Sequence, residues 1–191
     1  MIPLSIEKQR EPKKGDLLLS EPFLADNDFT RSVILLCEHN TDGSFGFILN
    51  NTLDLKLHEF TNGFPETETT VGYGGPVDRN QLFFLHQCPD LSDSIEIVKG
   101  IYIGGNFNEL LECIEKGTVN ESEVRFFIGY TGWGPEQLAS EIEEKTWIVT
   151  DIPEQITVMN TDDDRLWKEI LLYLGGKYKL MADFPLDPSH N

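Results

Sequence analysis

The sequence predicts an α+β domain built on a mixed β-sheet. Hairpin-forming stretches come in runs while helical stretches stand apart, without the sustained βαβ alternation that builds a doubly wound parallel sheet. Several strand-like stretches are also almost wholly apolar, as strands covered on both faces are. The chain has 191 residues, 39% of them hydrophobic, which suits one domain with a substantial core.

Taken in order, "GDLLLSEP" (15–22) reads as a short strand stopped by Pro22. "RSVILLCEH" (31–39) is a buried strand, "NTDGS" (40–44) supplies turn chemistry at Asp42-Gly43, and "FGFILNN" (45–51) returns, so 31–51 is a β-hairpin. A short helix is expected around "DLKLHEF". "VGYGGPVDRN" (71–80) reads as a glycine-rich connection into the strand "QLFFLHQ" (81–87), with short strands at 94–98 and 100–104. "NFNELLECIEKG" (106–117) has an Asn start, apolar residues at helical spacing and a Gly stop. "EVRFFIGY" (123–130) is another buried strand. "PEQLASEIEEK" (135–145) is a helix with Pro135 at its first position and acidic residues in its first turn. "TWIVTDI" (146–152) is a strand. "DDDRLWKEILLYLGG" (162–176) is a helix with aspartates at the positive end of its dipole and Trp167, Leu171 and Leu174 on a core-facing stripe. The total is roughly seven strands and three or four helices.

One domain is expected over 15–176. A flexible basic arm precedes it at 1–14, with Lys8, Arg10, Lys13 and Lys14 against Glu7 and Glu11, and a loosely packed tail follows at 177–191.

Composition bounds the function. A net charge of −18 opposes phosphate backbones, so no direct nucleic-acid binding is expected. There is no apolar run of transmembrane length, and the start carries charges where a signal peptide needs apolar residues. No membrane association is therefore expected, and the expected compartment is the cytoplasm. Three cysteines, Cys37, Cys88 and Cys113, fit a reducing compartment better than a disulfide framework.

Motifs for chemistry are sparse. The hydrolase, zinc-protease and P-loop signatures are absent, no cofactor is implied, and no catalytic residue or reaction can be assigned. Cys37 and His39 lie two apart on one strand and His86 and Cys88 two apart on another, so each pair projects from one face. Convergence of the two pairs would give a Cys₂His₂ zinc set, but C-x₂-C knuckles are missing and buried cysteine more often acts as a small hydrophobe, so no metal is assigned.

"GYTGWG" (129–134) reads as a strand end, a glycine turn and a helix start. Backbone N–H groups there can hold an anion and Trp133 can offer a stacking face, although a tight turn with Trp133 over the core is the favoured reading. Gly74 and Gly75 allow positive φ or a close backbone approach. Arg31, at the mouth of an apolar strand, can pair a carboxylate or an anionic ligand. The candidate ligand-binding set is therefore Arg31, His39, Asn50, Gly74, Gly75, His86, Tyr130, Gly132, Trp133 and Gly134.

In this order, "GDLLLSEPFLADNDFTRSVILLCEHNTDGSFGFILN", "YGGPV", "FFLH", "GYTGWGPEQLASEI" and "LWKEILLYLGG" resemble the bacterial AlgH/YqgE family over residues 15–176. Matching positions are Arg31, Ser32, Cys37, Glu38, His39 and Asn50, then Gly74, Gly75, Pro76, His86, Gly129, Tyr130, Gly132, Trp133 and Gln137. Cys88 falls outside the pattern, Thr52 replaces a usual proline, and Phe47 is bulkier than the common leucine. The resemblance implies a bifurcated sheet curled into a pseudo-barrel with the helices packed outside. It also implies a transcriptional-regulator label without an assigned reaction. The expectation is a regulator acting indirectly through a protein partner or small ligand. The alternative is an enzyme or small-molecule-binding protein using a groove near His39, His86 and the 129–134 turn. In that alternative, replacing either histidine leaves the fold intact and abolishes binding.

Overall fold

The computed structural model describes residues 9–61, 64, 66–160 and 165–185. Residues 1–8 of the arm, the aspartates at 162–164 and residues 186–191 of the tail lie outside the described residues.

Among the described residues the chain forms β1 (Leu17–Ser20), β2 (Val33–Asn40), β3 (Gly43–Ile48), β4 (Thr52–Lys56), α1 (Leu57–Phe60), β5 (Thr70–Tyr73) and β6 (Val77–His86). These are followed by β7 (Ser94–Val98), β8 (Ile101–Gly104), α2 (Phe107–Glu115), β9 (Val124–Trp133), α3 (Gln137–Glu143), β10 (Trp147–Thr150), α4 (Leu166–Leu174) and α5 (Gly176–Met181). The α+β class holds, with ten strands and five helices instead of about seven and three or four. The additional strands are β4 and β5, whose polar and glycine-rich sequences hid them, together with the first half of β6.

The strands join in the order β10-β1-β2-β3-β9-β6-β8-β7, with β4 on β5 and β5 on β9. β9 is the branch. Its residues Phe126–Ile128 pair with β5 in parallel and with β6 antiparallel, which fills both edges. Further along, Thr131–Trp133 pair with β3, so one edge of β9 passes from β5 to β3. Gly74, Gly75 and Gly129 sit where that handover occurs. A Cβ at Gly74 would stand 2.2 Å from the Gly129 carbonyl oxygen. At Gly129, where φ is +69°, a Cβ would stand 2.4 Å from the Gly75 oxygen and 2.7 Å from that of Val77. The 74–77 segment and β9 meet there too closely for any side chain.

The sheet curls around a core in which Leu17, Leu35, Phe47 and Phe127 meet Trp167, Ile170 and Leu171 of α4. Trp167 packs as its helical spacing predicts, and its indole donates to the Ser20 carbonyl at 2.9 Å. Two smaller cores lie outside. Leu138 and Ile142 of α3 cover Ile34, Ile48 and Trp147, and Leu110 of α2 covers Phe84 and Phe126. The Asn106 side chain caps α2 by accepting from the N–H groups of Asn108 and Glu109.

Where they are described, both flanks of the expected domain make contacts with it. Arg10 holds the buried carboxylate of Asp16 with two bonds of 2.6 and 2.9 Å, and Lys13 pairs with Asp151. Residues 177–185, expected in a loose tail, include most of α5, with Met181 and Ala182 buried against the main core. The Gly-Gly pair at 175–176 reads as the end of the preceding helix, which hides the short helix that starts there.

"GYTGWG" also differs from its reading. Gly129 and Gly132 do not end β9, which runs through Trp133. Pro135 lies before α3, which starts at Gln137 behind Glu136 at φ 61°.

Candidate functional site

The hairpin β2–β3 and the start of β6 stand on either side of the last residues of β9, and an open groove of about 720 Å³ lies between them. Its existence follows from β-sheet register. Val77 pairs with Tyr130 and Leu82 with Ile128, so residues 78–81 bulge out opposite the single residue Gly129. Asp78 has φ 51°, a left-handed conformation that the bulge imposes.

One wall is aromatic. The Tyr130 ring meets Phe45 at 5.9 Å and Phe83 at 5.5 Å, both nearly edge-on. Gly132 lines the groove beside Tyr130, where even a Cβ would press on the ring at 3.1 Å. Trp133 forms the back but is 6% exposed, so it offers no free stacking face. Its indole donates to Glu141 at 2.8 Å, and Trp147 donates to the same carboxylate oxygen at 2.7 Å, which clamps α3 onto the sheet. The rim is acidic, with Glu38, Asp42 and Asp78 all exposed. Among the described residues no cationic side chain lines it.

Of the sequence-predicted residues, Tyr130, Gly132 and Trp133 line this groove. His39 stands one hydrogen bond away, joined through Nδ1 to the Ser44 hydroxyl at 2.7 Å. The Gly134 N–H is satisfied by Gln137 at 2.9 Å. Gly74 and Gly75 belong to the branch beneath. Arg31 and Asn50 line a separate depression of about 410 Å³. There the Asn50 amide accepts from the Val33 N–H at 2.8 Å and donates to the Arg31 carbonyl at 2.9 Å, replacing ladder bonds where β2 begins. Arg31 lies over Trp167 at 5.0 Å and donates to the Phe184 carbonyl, which ties β2 to the segment after α5.

His86 does not join them. His39 pairs with Ser44, which pairs with Trp133, whereas His86 pairs with Val124 at the other end of β9. Nine residues of strand, roughly 30 Å, separate the two ends. His86 is fully buried; its Nε2 donates to the Gly104 carbonyl at 3.0 Å and its Nδ1 accepts from the Cys88 N–H at 3.2 Å. Both bonds require the neutral Nε2–H tautomer, and burial lowers the imidazole pKa. This histidine is a structural bridge between β6 and β8.

The same separation removes the zinc alternative, since Cys37 and His39 cannot meet His86 and Cys88. Among the described residues no three of His, Cys, Asp and Glu gather closely enough to hold a metal ion. Cys37 is buried, and loss of hydration pushes its thiol far above the usual range, so it is inert.

Glu38, Asp42, Asp78, Phe45 and Phe83 are the groove residues that sequence reasoning missed as a site. Phe45 and Phe83 look like core positions in any strand pattern. Asp42 was absorbed by turn chemistry, and Asp78 sits in a bulge that no periodicity marks.

The model of the AlgH-like family matches residues 17–179. A UPF0301 protein of Cytophaga hutchinsonii is 41% identical over 181 residues, covering 93% of this chain and 98% of that relative. One from Bacteroides thetaiotaomicron is 40% identical, covering 94% and 92%. In fold, the chain is similar to a crystal structure of a Corynebacterium diphtheriae protein (TM-score 0.75, 23% identity, 93% and 95% covered). It is also similar to the solution structure of the AlgH protein from Pseudomonas aeruginosa (TM-score 0.72, 24% identity, 94% and 98% covered).

Proposed function

The chain belongs to the AlgH-like family, and from that premise we propose that it is a cytoplasmic binding protein that influences transcription indirectly, through an occupant of the groove at the end of β9. One observation carries this reading. The groove combines uncovered aromatic surface with three carboxylates that make no ion pair among the described residues. Direct DNA contact is opposed by the net charge of −18. Among the described residues no helix is long and apolar enough to cross a membrane.

Gln81→Trp tests the reading, because Gln81 is an exposed lining residue and an indole there fills the groove without entering the core. Cells carrying this variant should show the transcript profile of cells lacking the protein, with the variant's melting temperature unchanged. A wild-type profile from a folded Gln81→Trp protein sinks the proposal. So does tight, sequence-specific DNA binding by the purified protein in a gel shift at physiological salt.

A further inference from the structure

The groove's chemistry narrows the class of its occupant, and this step rests on the binding reading above. Some acidic side chains elsewhere on the described surface have cations: Glu68 has Lys56, Glu112 has Lys116, Asp151 has Lys13 and Asp183 has Lys168. Glu38, Asp42 and Asp78 do not. Glu38 accepts only from the Asn40 amide, and no ion pair among the described residues includes any of the three. The nearest cation in sequence, Arg79, is engaged elsewhere. It pairs with Asp28 at 3.2 Å, lies 5.4 Å from the centre of the Tyr73 ring, and donates to the Pro76 carbonyl at 3.3 Å. The groove thus keeps its negative charge uncompensated.

The carboxylates are also spread out. They come from the end of β2, the β2–β3 turn and the bulge of β6. They do not converge as a compact metal ion requires. Between them stands the angled wall of Phe45, Tyr130 and Phe83, whose edge-on contacts leave ring surface available to alkyl chains and to cations. Separated anions with apolar surface between them are complementary to separated cations joined by methylenes. The volume of about 720 Å³ lies in the range of small-molecule sites. The net charge of −18 adds a field that draws polycations towards the protein. We infer that the groove binds a linear aliphatic polyamine, its ammonium groups on Glu38, Asp42 and Asp78 and its methylene chain along Tyr130, Phe45 and Phe83.

Calorimetric titration of the full chain with spermidine tests this. Saturable one-to-one binding is expected, weakening as salt is raised. The doubly acetylated derivative, which keeps the chain and loses charge, should not bind. The double variant Asp42→Asn/Asp78→Asn should weaken binding by roughly tenfold or more. Glu115→Gln/Glu154→Gln removes the same charge from positions outside the groove and should leave affinity unchanged. Equal loss in both double variants would mean diffuse counterion attraction and overturn the inference. Absence of saturable binding, or binding of an arginine-rich peptide in place of spermidine, would overturn it too. If spermidine fails while Gln81→Trp still reproduces the loss of the protein, the polyamine assignment falls and the binding groove stands. A silent Gln81→Trp removes the groove reading itself.

Discussion

The two ends of β9 are made of similar residues and do different things. At the Val124 end, Phe64, Phe84 and Phe126 pack together under α2, and the buried His86 spends both ring nitrogens on backbone. At the Trp133 end, Phe45, Phe83 and Tyr130 form a comparable aromatic cluster, but among the described residues no helix lines the groove beside it and the neighbouring carboxylates make no ion pair. Aromatic content alone does not mark a site. What marks it is aromatic surface that the fold declines to cover, beside charge that it declines to neutralise.

The largest effect should come from the hinge between the two ends. Gly129→Ala combines a left-handed backbone with contacts of 2.4 and 2.7 Å to two carbonyl oxygens, and should cost about 4 kcal/mol or more. Gly117→Ala is the control. It has nearly the same φ, +68°, with nothing within 4 Å, and should cost only about 1 kcal/mol. Urea denaturation of both variants measures the difference. Equal costs would mean that conformational strain alone, not the close meeting of the 74–77 segment and β9, fixes Gly129.

Next come the histidines. His86→Ala should lose about 3 kcal/mol, because it leaves a cavity and two orphaned backbone groups. His39→Ala breaks one half-exposed bond and should lose less than about 1 kcal/mol. Comparable losses would erase the contrast between the closed end and the open one.

A smaller effect follows from titration. The pKa of His86 is lowered in the folded state by burial, so below the unfolded value of about 6.5 the unfolded chain binds a proton that the folded chain refuses. Stability contributed by the neutral imidazole is intact above that pH and falls as pH drops from there towards the folded pKa. Denaturation at pH 7.5 and 5.5 should show wild type losing more stability than His86→Gln. An equal loss would mean that His86 is protonated in the fold.

The smallest effects belong to the rim. Asp42→Asn and Asp78→Asn should each change stability by no more than about 0.5 kcal/mol, since neither carboxylate pairs with a cation among the described residues. A clear destabilisation would give these groups a structural role and weaken the case for a ligand.

Legibility in the sequence follows the same division. The hairpin 31–51, the capped helix at 106–117 and the Trp167 stripe are local, since periodicity and turn chemistry specify them without reference to distant residues. The branch is not local. Gly129 and Gly132 look like turn residues, yet Gly129 serves a meeting of strands far apart in sequence and Gly132 lies within a continuing strand. The groove is harder still. Tyr130 and Gly132 were found because they sit in a conspicuous motif, whereas Phe45 and Phe83 are apolar strand residues whose exposure depends on where no helix lands. His86 was assigned to the site because strand ends look alike in sequence; only register separates them.

The branching of β9 also bears on how the chain is made. β3, β5 and β6 all emerge from a ribosome before residues 124–133, and each presents an open edge until that strand arrives. β1 meets β10 only when residue 150 has been synthesised, so the sheet closes across most of the chain's length. A nascent polypeptide stalled ahead of Val124 therefore holds several hydrophobic strands with one edge unpaired. It is a natural client for a chaperone at the tunnel exit, and premature termination there yields an aggregate instead of a smaller working domain.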